Sequence, residues 1–224
     1  MINGIIIIDK QKGYTSHDCV AICKRVFNTK AGHTGTLDPD ATGVLPVLLG
    51  KATKLSNSLM SDDKIYKAEI ILGFSTDTGD KSGEIIKTAE YELNEEKIKA
   101  VLKNFTGKIM QTPPMYSAIK IGGKKLYELA RKGKTIERQP REIEIFDIEL
   151  LDFTKSGFFI RVHCSKGTYI RVLCEDIAVK LNTAGCMGEL IREASGRFNL
   201  ANAVSIEKIK EITLEDALKY VEIV

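Results

Sequence analysis

The sequence predicts an α+β fold: a mixed, mainly antiparallel β-sheet with flanking helices. Three observations predict it. Helical and strand-like apolar periods are interleaved along all 224 residues, hairpin-type connections outnumber plausible crossover units, and 43% hydrophobic with 28% charged residues is a balance that can build a substantial core.

Taken in order, Ile5 to Ile8 reads as a short buried strand. Ser16 is placed to cap a helix in which Val20, Cys23, Val26 and Phe27 recur at helical spacing. Next comes "GHTGTLDPDATGVLP", Gly32 to Pro46, with little to build a regular element. A short helix is expected around Ala52 to Met60, and Tyr66 to Leu72 alternates as a strand. The turn-rich "STDTGDKSGE" leads to a second strand near Ile85. Glu95 to Phe105 reads as a helix capped by Asn94, with Leu93 placed to staple onto Ile98 and with Ile98, Val101, Leu102 and Phe105 on one face. Ile143 to Leu150 and Phe159 to Cys164 suit two antiparallel strands, joined near Ser156 and Gly157. A last strong helix buries Ile170, Leu173, Cys174, Ile177, Ala178 and Leu181.

Composition narrows the function classes. The apolar run Ile5 to Ile8 is too short for a signal peptide or a membrane span. Five cysteines with no C-x-x-C pair argue against a zinc or disulfide framework, leaving buried free thiols in a reducing cytoplasm. Charge is uneven: residues 103–141 carry a net +8, whereas residues 55–102 and 142–224 are each −4. That basic block is either a polyanion contact surface or a solvated lysine-rich face.

The Gly32 to Pro46 stretch admits several readings. It is not a phosphate loop, because no lysine follows its second glycine and Asp38-Pro39 opposes helix entry. Asp38 and Asp40 have a spacing that suits a hard cation, but no further oxygen ligand is evident. A plain turn started by Asp38-Pro39 is the bland alternative. A nucleophilic carboxylate would require a fixed cation nearby. "HCSKGTYIRVLCEDI" offers one: Arg171 stands in the first turn of a helix, against the macrodipole, which suggests a tertiary carboxylate partner.

Four blocks, "GHTGTLDPDATGVLPVLLGKATKLS", "DKIYKAEIILGFSTDTGD", "PPMYSAIKIGGKKLYELAR" and "HCSKGTYIRVLCEDI", closely resemble the TruB-type tRNA pseudouridine-55 synthases, in the same order. The likeness runs from about Asn3 to about Ile206 and includes "GELIREASGRF". It implies the pseudouridine synthase fold in one catalytic domain, residues 1–224, with a mobile basic insertion at about 120–142. It implies a cofactor-free, metal-free, cytoplasmic isomerase that turns one uridine of the tRNA T-arm into pseudouridine. No membrane and no obligate protein partner are implied, and a monomer is expected.

By the same resemblance Asp38 is the catalytic carboxylate, attacking C6 of uracil or C1′ of ribose, and Arg171 is its paired arginine. Tyr66 stacks on the target base and helps remove the C5 proton. Tyr169 is a second pocket aromatic, His33 lies beside the flipped nucleotide, and Leu190 lines the uracil pocket. Lys124, Lys125, Arg131, Lys132 and Lys134 become phosphate contacts, with Gly122-Gly123 as a hinge. The chain departs from the family at Gln11, where proline is common, so a softer loop is expected there. It also ends at Val224, so a C-terminal RNA-binding module is expected to be absent or truncated. Two rivals stay open: a noncatalytic tRNA-folding module on the same scaffold, and a metal-dependent phosphotransferase using Asp38 and Asp40.

Overall fold

A computed structural model describes residues 2–224. The chain forms two compact units, one made of residues up to Lys67 with Glu189–Val224, the other of Ala68–Gly188.

The first unit begins with β1 (Gly4–Lys10), whose isoleucines are buried on both faces. That explains a continuous apolar run where a half-solvated strand would alternate. Helix α1 (Ser16–Val26) follows, then β2 (Ala31–His33) and β3 (Thr42–Leu49). The helix is capped by Thr15, not by Ser16: Thr15 accepts from the Asp18 amide, and Asp18 reaches back to the Thr15 amide. Two residues sharing a capping box leave the Ser16 hydroxyl free for a tertiary task. The stretch expected to lack regular structure, Gly32 to Pro46, contains most of β2 and most of β3. Strand β3 pairs antiparallel with both β1 and β2, and Pro46 sits opposite Ile7 and beside His33↔Val47.

A 3-10 segment (Gly50–Leu55) and α2 (Ser56–Leu59) then lead into β4 (Lys64–Leu72), which carries the chain into the second unit. There β5 (Phe74–Thr76) and β6 (Ile85–Thr88) pair as a small sheet of their own. Helix α3 (Glu95–Lys103) is capped by Asn94 as its sequence predicts, and buries Ile98 and Leu102. Strand β7 (Gly107–Gln111) follows. The short hairpin β8 (Lys120–Ile121) and β9 (Lys124–Lys125) comes next, then α4 (Leu126–Ala130). Gly122 and Gly123, at φ of 58° and 80°, are the two turn residues of that hairpin. Positive φ at both positions is what a tight two-residue turn demands, so their glycine identity is explained by the turn and not by a hinge.

Strands β10 (Arg141–Phe153) and β11 (Gly157–Cys164) form the expected antiparallel pair, and β7 joins the far edge of β10. Phe158, Ile160, Val162 and Cys164 alternate into the core with Ile170, Leu173, Cys174, Ile177 and Ala178 of α5 (Ile170–Lys180) also buried. Strand β12 (Gly185–Ser195), which the sequence pattern did not announce, returns the chain to the first unit.

In that unit β12 pairs in parallel with β3 (Ile191↔Thr42, Arg192↔Gly43). The remaining elements are β13 (Phe198–Asn199), β14 (Val204–Ser205), α6 (Ile206–Glu211), α7 (Leu214–Leu218) and β15 (Val221–Ile223). Strand β14 pairs in parallel with β1 and β15 antiparallel, so pairing is mixed but mainly antiparallel. One cluster, Ile5, Ile7, Val44, Leu48, Ala52 and Phe198, fills the space against the sheet. Gln11 ties its loop to α6. Its side-chain oxygen accepts from the Ile206 amide at the start of α6, a contact that proline could not make. Among the described residues all five cysteines are buried and none is joined in a disulfide, and no helix is long and apolar enough to cross a membrane.

Candidate active site

The segment between β2 and β3 is a loop held from beneath by buried polar groups. Its crown is a turn, closed by the Ala41 amide donating to the Asp38 carbonyl at 3.1 Å, with Pro39 second in the turn. Asp38 is half-buried and Asp40 exposed. Ser16 binds Leu37 in both directions, its hydroxyl donating to the carbonyl at 3.0 Å and accepting from the amide at 2.8 Å.

Lys10, at the end of β1, has no exposed surface. Its ammonium donates to the Tyr14, Pro39 and Gln11 carbonyls at 2.6, 2.9 and 3.1 Å. Burial pushes its pKa down, opposed by the nearby Cys19 thiol and the Asp38 and Asp40 carboxylates. Arg192 on β12 is also fully buried, donating to the Val44 carbonyl at 2.7 Å and to the Gly35 carbonyl at 3.1 Å. Gly43 makes the approach possible: at φ 102° an added Cβ would lie 2.2 Å from the Arg192 carbonyl oxygen.

His33 ends β2 at the foot of this loop. Its Nδ1 accepts from the Gly35 amide at 3.2 Å, which leaves the ring proton on Nε2. Burial, with His17 edge-on at 5.6 Å and the Arg192 charge, pushes its pKa down to about 4, so the ring is neutral at physiological pH. Tyr66 lies half-buried on β4. Leu190 is buried on β12, two residues before Arg192 and therefore on the same face of the strand.

The second unit holds the other named residues. Tyr169 is the N-cap residue of α5 but contributes no side-chain cap. The buried Gln111 amide supplies the fix, accepting from the Tyr169 amide at 2.8 Å and donating to its carbonyl at 3.1 Å. Arg171 is buried in the first turn of the helix. Its guanidinium donates to the Thr78 carbonyl at 3.1 Å and the Tyr116 carbonyl at 2.8 Å, with Asp80 Oδ2 at 3.9 Å. The carboxylate partner suggested by an arginine placed against the helix dipole is thus found, within this unit, in Asp80 of "STDTGD".

Asp80 is itself oriented. Its Oδ1 accepts from the Ser82 amide at 3.0 Å and from the Ser82 and Thr78 hydroxyls at 2.5 and 3.0 Å. Glu175, one helical turn beyond Arg171, is pushed up to about 7, chiefly by burial and then by Asp176. The Arg171 charge opposes that shift, and Asp80 adds to it. Of the basic residues, Lys124, Lys132 and Lys134 are exposed, and Lys125 is half-buried. Lys125 and Arg131 both approach the Tyr127 ring, 5.4 Å from its centroid. No group of three or more His, Cys, Asp or Glu among the described residues is placed to hold a metal ion.

Lys10, Ser16 and Arg192 in the first unit, and Asp80, Gln111 and Glu175 in the second, escape a reading of the sequence as residues that hold the candidate side chains. Their signal is positional: each is a polar residue at a register point where its strand or helix is otherwise apolar, or caps a turn whose loop needs partners.

The model of the TruB family pseudouridylate synthase N-terminal domain matches residues 24–170. The chain belongs to this family. It is 48% identical over 223 residues to tRNA pseudouridine synthase B of Bacillus pumilus, a match covering 96% of this chain and 72% of that protein. The same name and identity hold for a relative in Alkaliphilus oremlandii, covering 97% and 73%. Among solved structures it is similar to a chain of a Cbf5-Nop10-Gar1 complex, with a TM-score of 0.75 and 32% identity. That likeness covers 98% of this chain and 60% of the other, so this chain spans about three fifths of its length. The α+β architecture with a mixed sheet is therefore that of pseudouridine synthases.

Proposed function

We propose that this member of the TruB family isomerises uridine to pseudouridine at position 55, in the T-loop of tRNA, with Asp38 as the reacting carboxylate. The relatives' shared name supplies the reaction class. The observation that carries the residue assignment is the Asp38 loop itself, an excursion between β2 and β3 clamped by Ser16, Lys10 and Arg192. Buried polar groups spent on holding a surface turn are hard to justify unless the turn must present something in a fixed place.

The reaction breaks the N1–C1′ glycosidic bond, turns the base, and forms C5–C1′, after which the C5 proton leaves. Attack by Asp38 at C6 or at C1′ requires the ionised carboxylate. Arg171, with its fork already fixed by two backbone carbonyls, supplies a rigid cation on this reading. Tyr66 and Tyr169 offer aromatic faces to a base that has left its stack. His33, neutral and donating from Nε2, contacts the flipped nucleotide without adding charge. Leu190 lines the uracil pocket. The lysines and arginine of the β8–β9 hairpin and α4 region bind phosphates on a mobile segment. The enzyme works in the cytoplasm, as a monomer, without cofactor and without an obligate protein partner.

Pseudouridine mapping in an unmodified tRNA transcript, incubated with the purified chain alone, tests this. New pseudouridine at one T-loop uridine is expected, and Asp38→Asn abolishes it. Full conversion by the D38N variant would refute the assignment and favour a noncatalytic tRNA-folding role.

A further inference from the structure

Arg192 is 1% exposed, and the two side-chain hydrogen bonds described for it go to backbone carbonyls on opposite stems of the Asp38 loop: Gly35 on the way out and Val44 on the way back. Its own main chain pairs with Gly43 in the parallel β3–β12 ladder, so the strand that carries it is fixed to the second stem. A methionine or leucine would fill the same volume without burying a charge, which is costly unless every N–H finds an acceptor. What an apolar residue cannot do is join the carbonyls of two separate stems. The guanidinium does so from two nitrogens held apart in one rigid plane, Nε to Val44 and Nη2 to Gly35, an arrangement that the single nitrogen of an ammonium does not reproduce.

The other clamps act elsewhere. Ser16 holds Leu37 and Lys10 holds Pro39, both at the crown. At the neck the Thr34 amide donates to the Pro46 carbonyl at 3.2 Å, and Arg192 is the side chain that joins the stems beyond it.

We infer that Arg192 is a positioning residue for the reaction, tying the neck of the Gly35–Val44 loop so that Asp38 meets the substrate in one geometry. The inference rests on Asp38 being the reacting carboxylate. It requires no contact between Arg192 and RNA. Loss of the tie therefore lowers turnover and leaves substrate binding nearly untouched.

The test is Arg192→Lys, assayed for kcat and KM on an unmodified tRNA transcript, together with amide hydrogen exchange. A lysine keeps the charge and much of the volume but loses the second nitrogen, set apart in a rigid plane, by which the arginine serves both stems. A displacement of about 1 Å at a reacting group costs on the order of a hundredfold. The expected result is therefore a roughly ten- to hundredfold fall in kcat, KM within about twofold, and faster exchange confined to the amides from Gly35 to Val44. Wild-type kcat in R192K overturns the inference. So does a loss of kcat accompanied by equally faster exchange throughout β1 and α1, which would mark general destabilisation.

If R192K fails to fold, Gly35→Ala tests the same neck with the arginine retained. Its methyl would lie 3.4 Å from the Arg192 Nη1 at a backbone φ of 150°, and the same kcat-only loss is expected. Wild-type kcat in G35A would count against the inference. Asp38→Asn is run beside these variants. An inactive D38N with a fully active R192K sinks this inference alone, whereas an active D38N removes the assignment beneath it.

Discussion

Ser16 and Leu37 exchange two hydrogen bonds through one hydroxyl, at 2.8 and 3.0 Å, across 21 residues of chain. Ser16 opens a helix, Leu37 immediately precedes Asp38, and both are buried. Replacing Ser16 with Ala strands an amide and a carbonyl in the interior. The expected cost is about 1–3 kcal/mol, measured as a lower urea midpoint with unchanged slope. Turnover of tRNA should fall as well, because the residue next to Asp38 loses its hold. An S16A variant with wild-type stability would mean that water replaces both bonds.

Arg171→Lys tests the fork in the second unit. The lysine keeps a positive charge near Asp80 but loses the rigid plane from which Nη1 and Nη2 reach the Thr78 and Tyr116 carbonyls. Hydrogen bonds from charged donors contribute roughly 1.5–3 kcal/mol each, and about 1.4 kcal/mol is tenfold in rate. Pseudouridine formation under single-turnover conditions should drop at least about tenfold. Retained activity would show that charge alone is what Arg171 provides.

Glu175 makes stability depend on pH in an unusual direction for a carboxylate. Its pKa is about 7 in the fold, against 4.5 as the ordinary value. Between those values the folded state keeps a proton that the unfolded chain has released, so this group's contribution to stability declines as pH rises from 4.5 to about 7. Glu175→Gln removes the penalty. It should raise the unfolding temperature at about pH 8 by about 2–4 °C for each kcal/mol recovered, and by much less near pH 4.5. Equal effects at both pH values would contradict the burial-driven shift.

The basic segment is tested by salt. Replacing Lys124, Lys132 and Lys134 with Ala should weaken tRNA binding and flatten the dependence of log affinity on log salt. The slope should fall by about one unit for each phosphate that is no longer neutralised. An unchanged slope would return these residues to the status of a solvated face.

The fold class is legible in the sequence because α3, α5 and β11 each obey a single strong period, β10 alternates between its two register shifts, and Asn94 and the Ser156-Gly157 turn stand at their ends. Strands β2 and β3 are not legible there. Their glycines and Pro46 read as turn chemistry, and only tertiary pairing, of β3 with β1 and of β2 with β3, supplies the ladders that override those propensities. Ser16 passes for a cap because Thr15, one residue earlier, carries the same chemistry and forms the capping box with Asp18. Asp38 and Arg171 are visible from motif and from local misfit. Lys10 and Arg192 are not, since a lone basic residue at a strand end ordinarily faces water.

The guanidinium that closes the Asp38 loop arrives 148 residues after Val44 and 157 after Gly35. A ribosome therefore completes Asp38 long before it completes the group that fixes the stems around it, and loop closure over such a separation comes late in folding. In the nascent chain the crown can be held by Lys10 and Ser16 as soon as it is made, whereas the Arg192 tie across the stems waits until β12 emerges and pairs. A fragment cut short before Arg192 therefore holds both clamps of the crown but lacks the arginine that joins the two stems.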